Sequence, residues 1–142
     1  MITITDRIWL THWPLLVGLL VMLVLRLPNF TEPYWYGDEG IYLTIGQSLR
    51  HGERLYAEII DHKTPLIYYL AMVPNQLAFR WLLVGWMTVT TMAFYALVKQ
   101  WWPNRWIQLL TVSIFVLLTT LPRLEGNIPN GELFVMGFIL VG

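Results

Sequence analysis

Uncharged stretches alternate with charged ones along this chain. Three stretches of seventeen or eighteen consecutive residues contain no Asp, Glu, Lys or Arg, and basic residues bound each of them. A helix needs about 20 mostly apolar residues, with a range of roughly 17–25, to cross the hydrocarbon core of a bilayer. The pattern predicts transmembrane helices over residues 8–27, 81–98 and 106–122, and the start of a further one over residues 133–142.

The stretch from Arg26 to Lys63 has the opposite character, since it holds ten of the eighteen charged residues. We interpret residues 28–63 as a loop outside the bilayer core. The aromatic residues at positions 34–36 suit a membrane–water boundary.

One part of this loop has helical periodicity. Ile41, Ile45 and Leu49 recur at every fourth position, which predicts an amphipathic helix lying on the membrane surface. Asp38 has the chemistry to cap the start of this helix, and Gly52 the conformational freedom to end it.

The next sixteen residues, 64–79, are again uncharged, but they are short and contain two prolines. As a continuous helix they would reach about 24 Å of a ~30 Å core, and Pro74 would break that helix. We therefore expect a short juxtamembrane or re-entrant segment. A segment that does not cross the bilayer leaves the loop 123–132 on the same side as Asp38 and Lys63.

Composition excludes several other classes of protein. Of the 142 residues, 56% are hydrophobic and 13% are charged, whereas soluble domains carry about 25% charge. Three windows of membrane-spanning length exclude an ordinary soluble domain and a nucleic-acid-binding module, and the absence of Cys excludes a disulfide scaffold. The fold class that follows is all-α: a polytopic transmembrane protein with amphipathic juxtamembrane helices in its first loop.

The last apolar run, residues 133–142, is too short to cross a bilayer. Residues 133–142 would reach about 15 Å as a helix, half of the hydrocarbon core. A natural membrane protein seldom ends inside the hydrocarbon. We expect the chain to be the N-terminal part of a longer polytopic protein, or a truncated copy of one.

Three polar clusters outside the uncharged windows are candidates for chemistry. The first is the pair Asp38 and Glu39, just after the first predicted transmembrane helix. Two adjacent carboxylates there suit a general base or a metal ligand. The alternative is structural, with Asp38 capping the helix and Glu39 interacting with its dipole.

The second cluster is the tripeptide Asp61, His62 and Lys63, which precedes an aromatic-rich apolar run. Asp61 and His62 have the ligand chemistry of a divalent metal site, and Lys63 suits a phosphate group. Alternatively, Lys63 extends toward lipid headgroups while Asp61 pairs with it.

The third cluster is the short polar loop that ends at Glu132. One interpretation is that Glu132 caps the start of the last apolar helix. The other is that it points into a cavity together with Asn127 and Asn130, because ionisable residues near membrane depth often serve function.

Taken in order, these clusters resemble a known family. An Asp-Glu pair follows the first transmembrane helix, residues 61–69 contain the sequence Lys-Thr-Pro-Leu, and a loop ends in residues 127–134. The arrangement is similar to the N-terminal part of GT-C fold glycosyltransferases, closest to the dolichyl-phosphate-mannose-protein mannosyltransferase-like family. That family is related to protein O-mannosyltransferases and lipid A aminoarabinose transferases. Thr64 replaces the first proline of its Lys-Pro-Pro-Leu signature.

The resemblance implies an enzyme that takes a sugar from a polyprenyl-phosphate-linked donor and transfers it to a hydroxyl of a glycan, lipid or protein. Its site would face the extracytoplasmic side of the plasma (inner) membrane. Asp38 matches the catalytic base, with Glu39 beside it, and Glu132 matches a second catalytic acidic residue. Lys63 matches the lysine that contacts the donor phosphate.

The resemblance leaves a divalent metal cofactor open. The aminoarabinose transferases have a metal-binding Glu at the position before the lysine, whereas this chain has His62 there, preceded by Asp61. Two alternatives to an active enzyme also remain: an inactive fragment of such an enzyme, and a non-enzymatic lipid-binding or transport subunit.

Overall fold

The computed structural model describes residues 4–33 and 37–142, and all regular structure within these ranges is helical, with no β-strand. The all-α fold class is confirmed. The aromatic residues expected at a membrane–water boundary, 34–36, lie outside the described residues. The described helices are α1 (Ile4–Arg26), α2 (Gly37–Arg50), α3 (Pro65–Leu70), α4 (Gln76–Trp101), α5 (Arg105–Leu118) and α6 (Gly131–Val141), with single 3₁₀ turns at Pro28–Phe30 and Pro122–Leu124.

Two helical segments are long and apolar enough to cross a bilayer, judged by length and composition. The segment Thr11–Phe30, most of which belongs to α1, and helix α4 have mean hydropathies of 1.7 and 1.6. Helices α5 and α6 have 14 and 11 residues, so they reach about 21 and 16 Å, less than a ~30 Å core.

The predicted span 106–122 is helical only as far as Leu118. The hydroxyl groups of Thr119 and Thr120 donate hydrogen bonds back to carbonyls of the last helical turn, and both residues lie in a turn. Leu121 then precedes Pro122, and the residue before a proline disfavours helical backbone. These local effects end α5 earlier than hydrophobicity alone predicts.

Residues 64–79 do not form a spanning helix, as the sequence predicts. Helix α3 covers six residues, and a turn follows it. The side chain of Asn75 then accepts a hydrogen bond from the backbone N–H of Ala78 at 2.9 Å and caps α4. Helix α4 therefore begins at Gln76, earlier than the predicted boundary at residue 81.

The polar connections gather at one end of the helical bundle. Helices α1 and α5 finish there together, since Nη2 of Arg26 donates a hydrogen bond to the carbonyl of Thr119 at 2.8 Å. The loop after α1 also contacts the loop before α6, because Nδ2 of Asn29 donates to the carbonyl of Asn127 at 2.5 Å. Helices α1 and α5 thus run antiparallel to α4 and α6.

We call residues 27–33, 37–75 and 119–132 the polar end. It contains α2, α3 and the described connections between α1 and α4 and between α5 and α6. The loop 123–132 consequently lies at the same end as Asp38 and Lys63, which is the arrangement that a non-crossing segment predicts.

Helix α2 packs on the rest of the polar end with a face slightly different from the predicted one. Tyr42 and Ile45 are buried, whereas Ile41 is exposed. The buried face is therefore rotated away from Ile41. Gly52 ends the helix as predicted: it has a φ of 93°, and its N–H donates to the carbonyl of Leu49 at 3.1 Å. A positive φ at this position favours glycine.

Close approach of α2 and α3 depends on Gly46, where a Cβ atom would overlap the backbone carbonyl of Ala71. We expect Gly46→Ala to destabilise the protein by about 1–3 kcal/mol, because two backbones would have to separate. The matched control is Gly85→Ala in α4, where a Cβ meets nothing within 4 Å and alanine should improve helix stability. Thermal unfolding of the purified protein measures both. Equal effects of the two substitutions would contradict the role of Gly46.

Candidate functional site

One cationic and two anionic side chains meet at the polar end. Nζ of Lys63 lies 3.7 Å from Oδ2 of Asp38 and 3.7 Å from Oε1 of Glu132. Asp38 lies in the first turn of α2, Lys63 in the loop before α3, and Glu132 in the first turn of α6. The structure thus brings together one residue from each of the three polar clusters. We call these three residues the charged triad.

Asp38 is held by a residue of its own helix. The hydroxyl of Tyr42, one turn later in α2, donates a hydrogen bond to Oδ2 of Asp38 at 3.0 Å. Burial of Tyr42 and this hydrogen bond raise the pKa of Tyr42 above its usual value, so the hydroxyl keeps its proton and remains a donor. Among the described residues none hydrogen-bonds to Oδ1 of Asp38. Oδ2 is engaged by Tyr42 and Lys63, while no described residue engages Oδ1.

The backbone of Lys63 is fixed by two tyrosine hydroxyls. Tyr56 donates a hydrogen bond to the carbonyl of Lys63 at 2.5 Å, and the N–H of Lys63 donates to the hydroxyl of Tyr68 at 3.2 Å. The hydroxyl of Tyr68 in turn donates to Oδ2 of Asp61 at 2.7 Å. These contacts leave the ammonium group of Lys63 free to face the two carboxylates of the charged triad.

Asp61 anchors this arrangement. Its Oδ1 accepts a hydrogen bond from the backbone N–H of His62 at 2.7 Å, and Nδ1 of the same histidine lies 2.8 Å away. The hydrogen bond from Tyr68, followed by those from His62, lowers the pKa of Asp61. Asp61 is therefore ionised at neutral pH, and both of its oxygens are already engaged.

Among the described residues, Asp61 and His62 have no third metal-ligating side chain beside them. Within residues 4–33 and 37–142, no three side chains of His, Cys, Asp or Glu lie close enough to hold an ion. Metal sites in proteins use three or more protein ligands or a rich set of oxygen donors. A metal at these residues stays a prediction.

Glu132 does not cap α6, because Asn130 does. The side chain of Asn130 accepts a hydrogen bond from the backbone N–H of Glu132 at 3.3 Å and donates one to Glu125 at 3.0 Å. The carboxylate of Glu132 is instead directed to Lys63, with 71% of its side chain exposed. Asn127 is buried away from the triad and bonds to the loop after α1.

A large cavity of about 630 Å³ opens at the charged triad. Its lining includes Lys63 and Glu132 together with apolar side chains from α3 to α6. The apolar lining residues are Ile67, Phe94, Phe115, Val135, Met136, Ile139 and Leu140. A mainly apolar cavity with a lysine in its lining suits an amphipathic ligand with an anionic head.

Glu39 is not part of the charged triad. It is 1% exposed, and its two oxygens accept hydrogen bonds from Nε and Nη2 of Arg80, both at 2.8 Å. Gln76 adds a third hydrogen bond at 3.0 Å, and Nη1 of Arg80 donates to the carbonyl of Glu32 at 2.8 Å. Glu39 therefore joins the start of α2 to the start of α4, and a catalytic role for it stays a prediction.

Sequence reasoning missed the tyrosines that support the site. Tyr42, Tyr56 and Tyr68 were not among the predicted site residues, because aromatic residues in such a chain are typical of membrane–water boundaries. A signal did exist for Tyr42, which stands four positions after Asp38 and so on the same helical face.

Comparisons with known protein families, with curated proteins and with solved structures found no match to this chain. Function is therefore inferred from the residues and the geometry of the polar end.

Proposed function

We propose that this protein is a polytopic membrane glycosyltransferase that transfers a sugar from a polyprenyl phosphate to a hydroxyl group of a glycan, lipid or protein. The observation that carries the proposal is the place of Lys63, which lies between two carboxylates and lines a mainly apolar cavity. A lipid phosphate needs a cation for its head and an apolar surface for its chain. Sugar transfer also needs a base, and Asp38 lies beside the cation.

In the proposed reaction, the acceptor hydroxyl donates a hydrogen bond to Oδ1 of Asp38. The hydroxyl oxygen attacks the anomeric carbon of the sugar, and the bond from that carbon to the phosphate oxygen breaks. The proton passes to Asp38, and the electron pair of the broken bond stays on the phosphate. Lys63 stabilises the developing negative charge, so no general acid is required for departure.

The proposal also includes how the protein lies in the membrane. The apolar segments of α1 and α4 would cross the bilayer, and α5 and α6 would lie within it. The polar end would then face the extracytoplasmic side of the plasma (inner) membrane, which is the side that the family resemblance implies. Such a placement puts Lys63 at the depth of lipid phosphate groups.

A lipid-binding subunit without transferase activity is the second candidate. The cavity and Lys63 would serve it equally well, since both contribute to binding. The contact between Tyr42 and Asp38 favours the enzyme, because binding a phosphate gains nothing from a carboxylate fixed beside the cation. An inactive relative of the enzyme would bind the donor without transferring the sugar.

Lys63→Ala tests the proposal. We expect donor affinity to fall by about 10- to 100-fold, because a charge-assisted contact to phosphate of about 1.5–3 kcal/mol is lost. The control is Lys99→Ala, which removes the same group from the last turn of α4, at the opposite end of the bundle. The measurements are donor binding and sugar transfer from polyprenyl-phosphate-linked donors, with purified protein in proteoliposomes. Absence of donor binding by the unsubstituted protein, or equal binding by Lys63→Ala, would contradict the proposal.

A further inference from the structure

The charged triad is not balanced. Lys63 supplies one positive formal charge, whereas Asp38 and Glu132 supply one negative charge each at the same distance of 3.7 Å. His62 also lines the cavity, and its Nδ1 lies 2.8 Å from Oδ1 of Asp61 rather than in the triad. Asp61 already bonds to Tyr68 and His62. A ligand phosphate therefore approaches a site with one more negative than positive charge.

The two carboxylates of the triad differ in exposure and in hydrogen bonding. Asp38 is 29% exposed and fixed by Tyr42. Glu132 is 71% exposed, and among the described residues its carboxylate accepts no hydrogen bond. Glu132 also lines the cavity together with Lys63. A phosphate that reaches Lys63 from the cavity therefore lies beside Glu132.

The ligand of this site changes its charge during the proposed reaction. A sugar linked through phosphate to a lipid is a phosphodiester with one negative charge. After transfer, the carrier is a phosphate monoester, which carries about −1.5 to −2 at neutral pH because its second pKa is about 6. Lys63 attracts both forms of the phosphate, but the added charge of the monoester increases its repulsion by Glu132.

We infer that Glu132 makes this site selective for phosphodiesters over phosphate monoesters, so that the spent carrier is released after each transfer. The inference rests on the proposed function and assigns a specificity-determining role to one residue of the same site.

Two lipids that differ by one charge test this role. Polyprenyl phosphate and its methyl ester have the same chain, and neither carries a sugar. We expect the purified full chain, in nanodiscs of uncharged lipid at about pH 7.5, to bind the methyl ester about tenfold more tightly than the monoester. Glu132→Gln should tighten monoester binding and bring the two affinities to about the same value. Glu53→Gln, the same change at an exposed position outside the triad, should keep the original ratio.

The outcomes of this experiment distinguish the role of Glu132 from the proposed function. If the unsubstituted chain binds both lipids with equal affinity, or if Glu132→Gln leaves the ratio of the two affinities unchanged, the role of Glu132 is overturned and the proposed function stands. If neither lipid binds to the unsubstituted chain, the proposed function falls and the inference falls with it. Thermal unfolding of each variant establishes that a change in the ratio does not come from loss of the fold.

Discussion

Asp38→Asn should lower the rate of sugar transfer by about 10²–10⁴-fold, the range that a general base contributes. The amide cannot take the proton of the acceptor hydroxyl at neutral pH. Its oxygen can still accept the hydrogen bond from Tyr42, which spans 3.0 Å in the structure, so the start of α2 should keep its geometry. Removal of a negative charge beside Lys63 should leave donor affinity unchanged or slightly higher.

The measurement that checks this result separates kcat from KM for the donor. The loss should be confined to kcat, because the phosphate and the lipid chain are bound by other residues. Glu53→Gln serves as control, since it converts an acid to its amide at an exposed position outside the charged triad. Unchanged turnover in Asp38→Asn would remove Asp38 from the role of base, and a parallel loss of donor binding would indicate a role in binding instead.

Arg80→Met should destabilise the protein by about 3–5 kcal/mol, the typical cost of leaving one partner of a buried ion pair uncompensated. Arg80 is 3% exposed, and it forms a two-bonded pair with Glu39. Its loss would leave a buried carboxylate with Gln76 as the remaining donor among the described residues. The start of α2 would then be joined to α4 by that hydrogen bond, without the ion pair.

Thermal or denaturant unfolding of the purified protein measures the effect of Arg80→Met. Arg50→Met, at an exposed position at the end of α2, is the matched control and should change stability by less than about 0.5 kcal/mol. The double variant Glu39→Met/Arg80→Met should recover a large part of the loss, because a buried ion pair can often be replaced by apolar side chains. A double variant less stable than Arg80→Met would show that Glu39 has another essential partner.

Much of the helical framework could be predicted from hydrophobicity. Uncharged windows mark apolar helices because burying a charge away from water is costly. The ends of the helices could not be predicted as well, since they depend on single side chains. Three helices begin at an asparagine whose side-chain oxygen accepts a hydrogen bond from a backbone N–H: Asn75, Asn104 and Asn130. Two threonines and a following proline shorten α5.

Grouping the site residues at one end also followed from the sequence. The short segment 64–79 was predicted not to cross a bilayer, and that prediction puts Asp38, Lys63 and the loop before Glu132 at the same end. The cavity could not be predicted in this way, because its walls come from helices that are distant along the chain. The supporting tyrosines were missed for the same reason: Tyr68 and Asp61 are recognisable as partners only once the loop is folded.

The pair Asp38 and Glu39 shows where sequence information ends. By itself, the sequence determined that two carboxylates begin a helix at the polar end, next to a segment that carries Lys63. Tertiary structure alone decided which carboxylate joins the charged triad. Neighbouring residues on a helix point about 100° apart, so one side chain reaches Lys63 and the other reaches Arg80 in α4. Their chemistry is the same, and only the packing of α2 against the other helices gives them different roles.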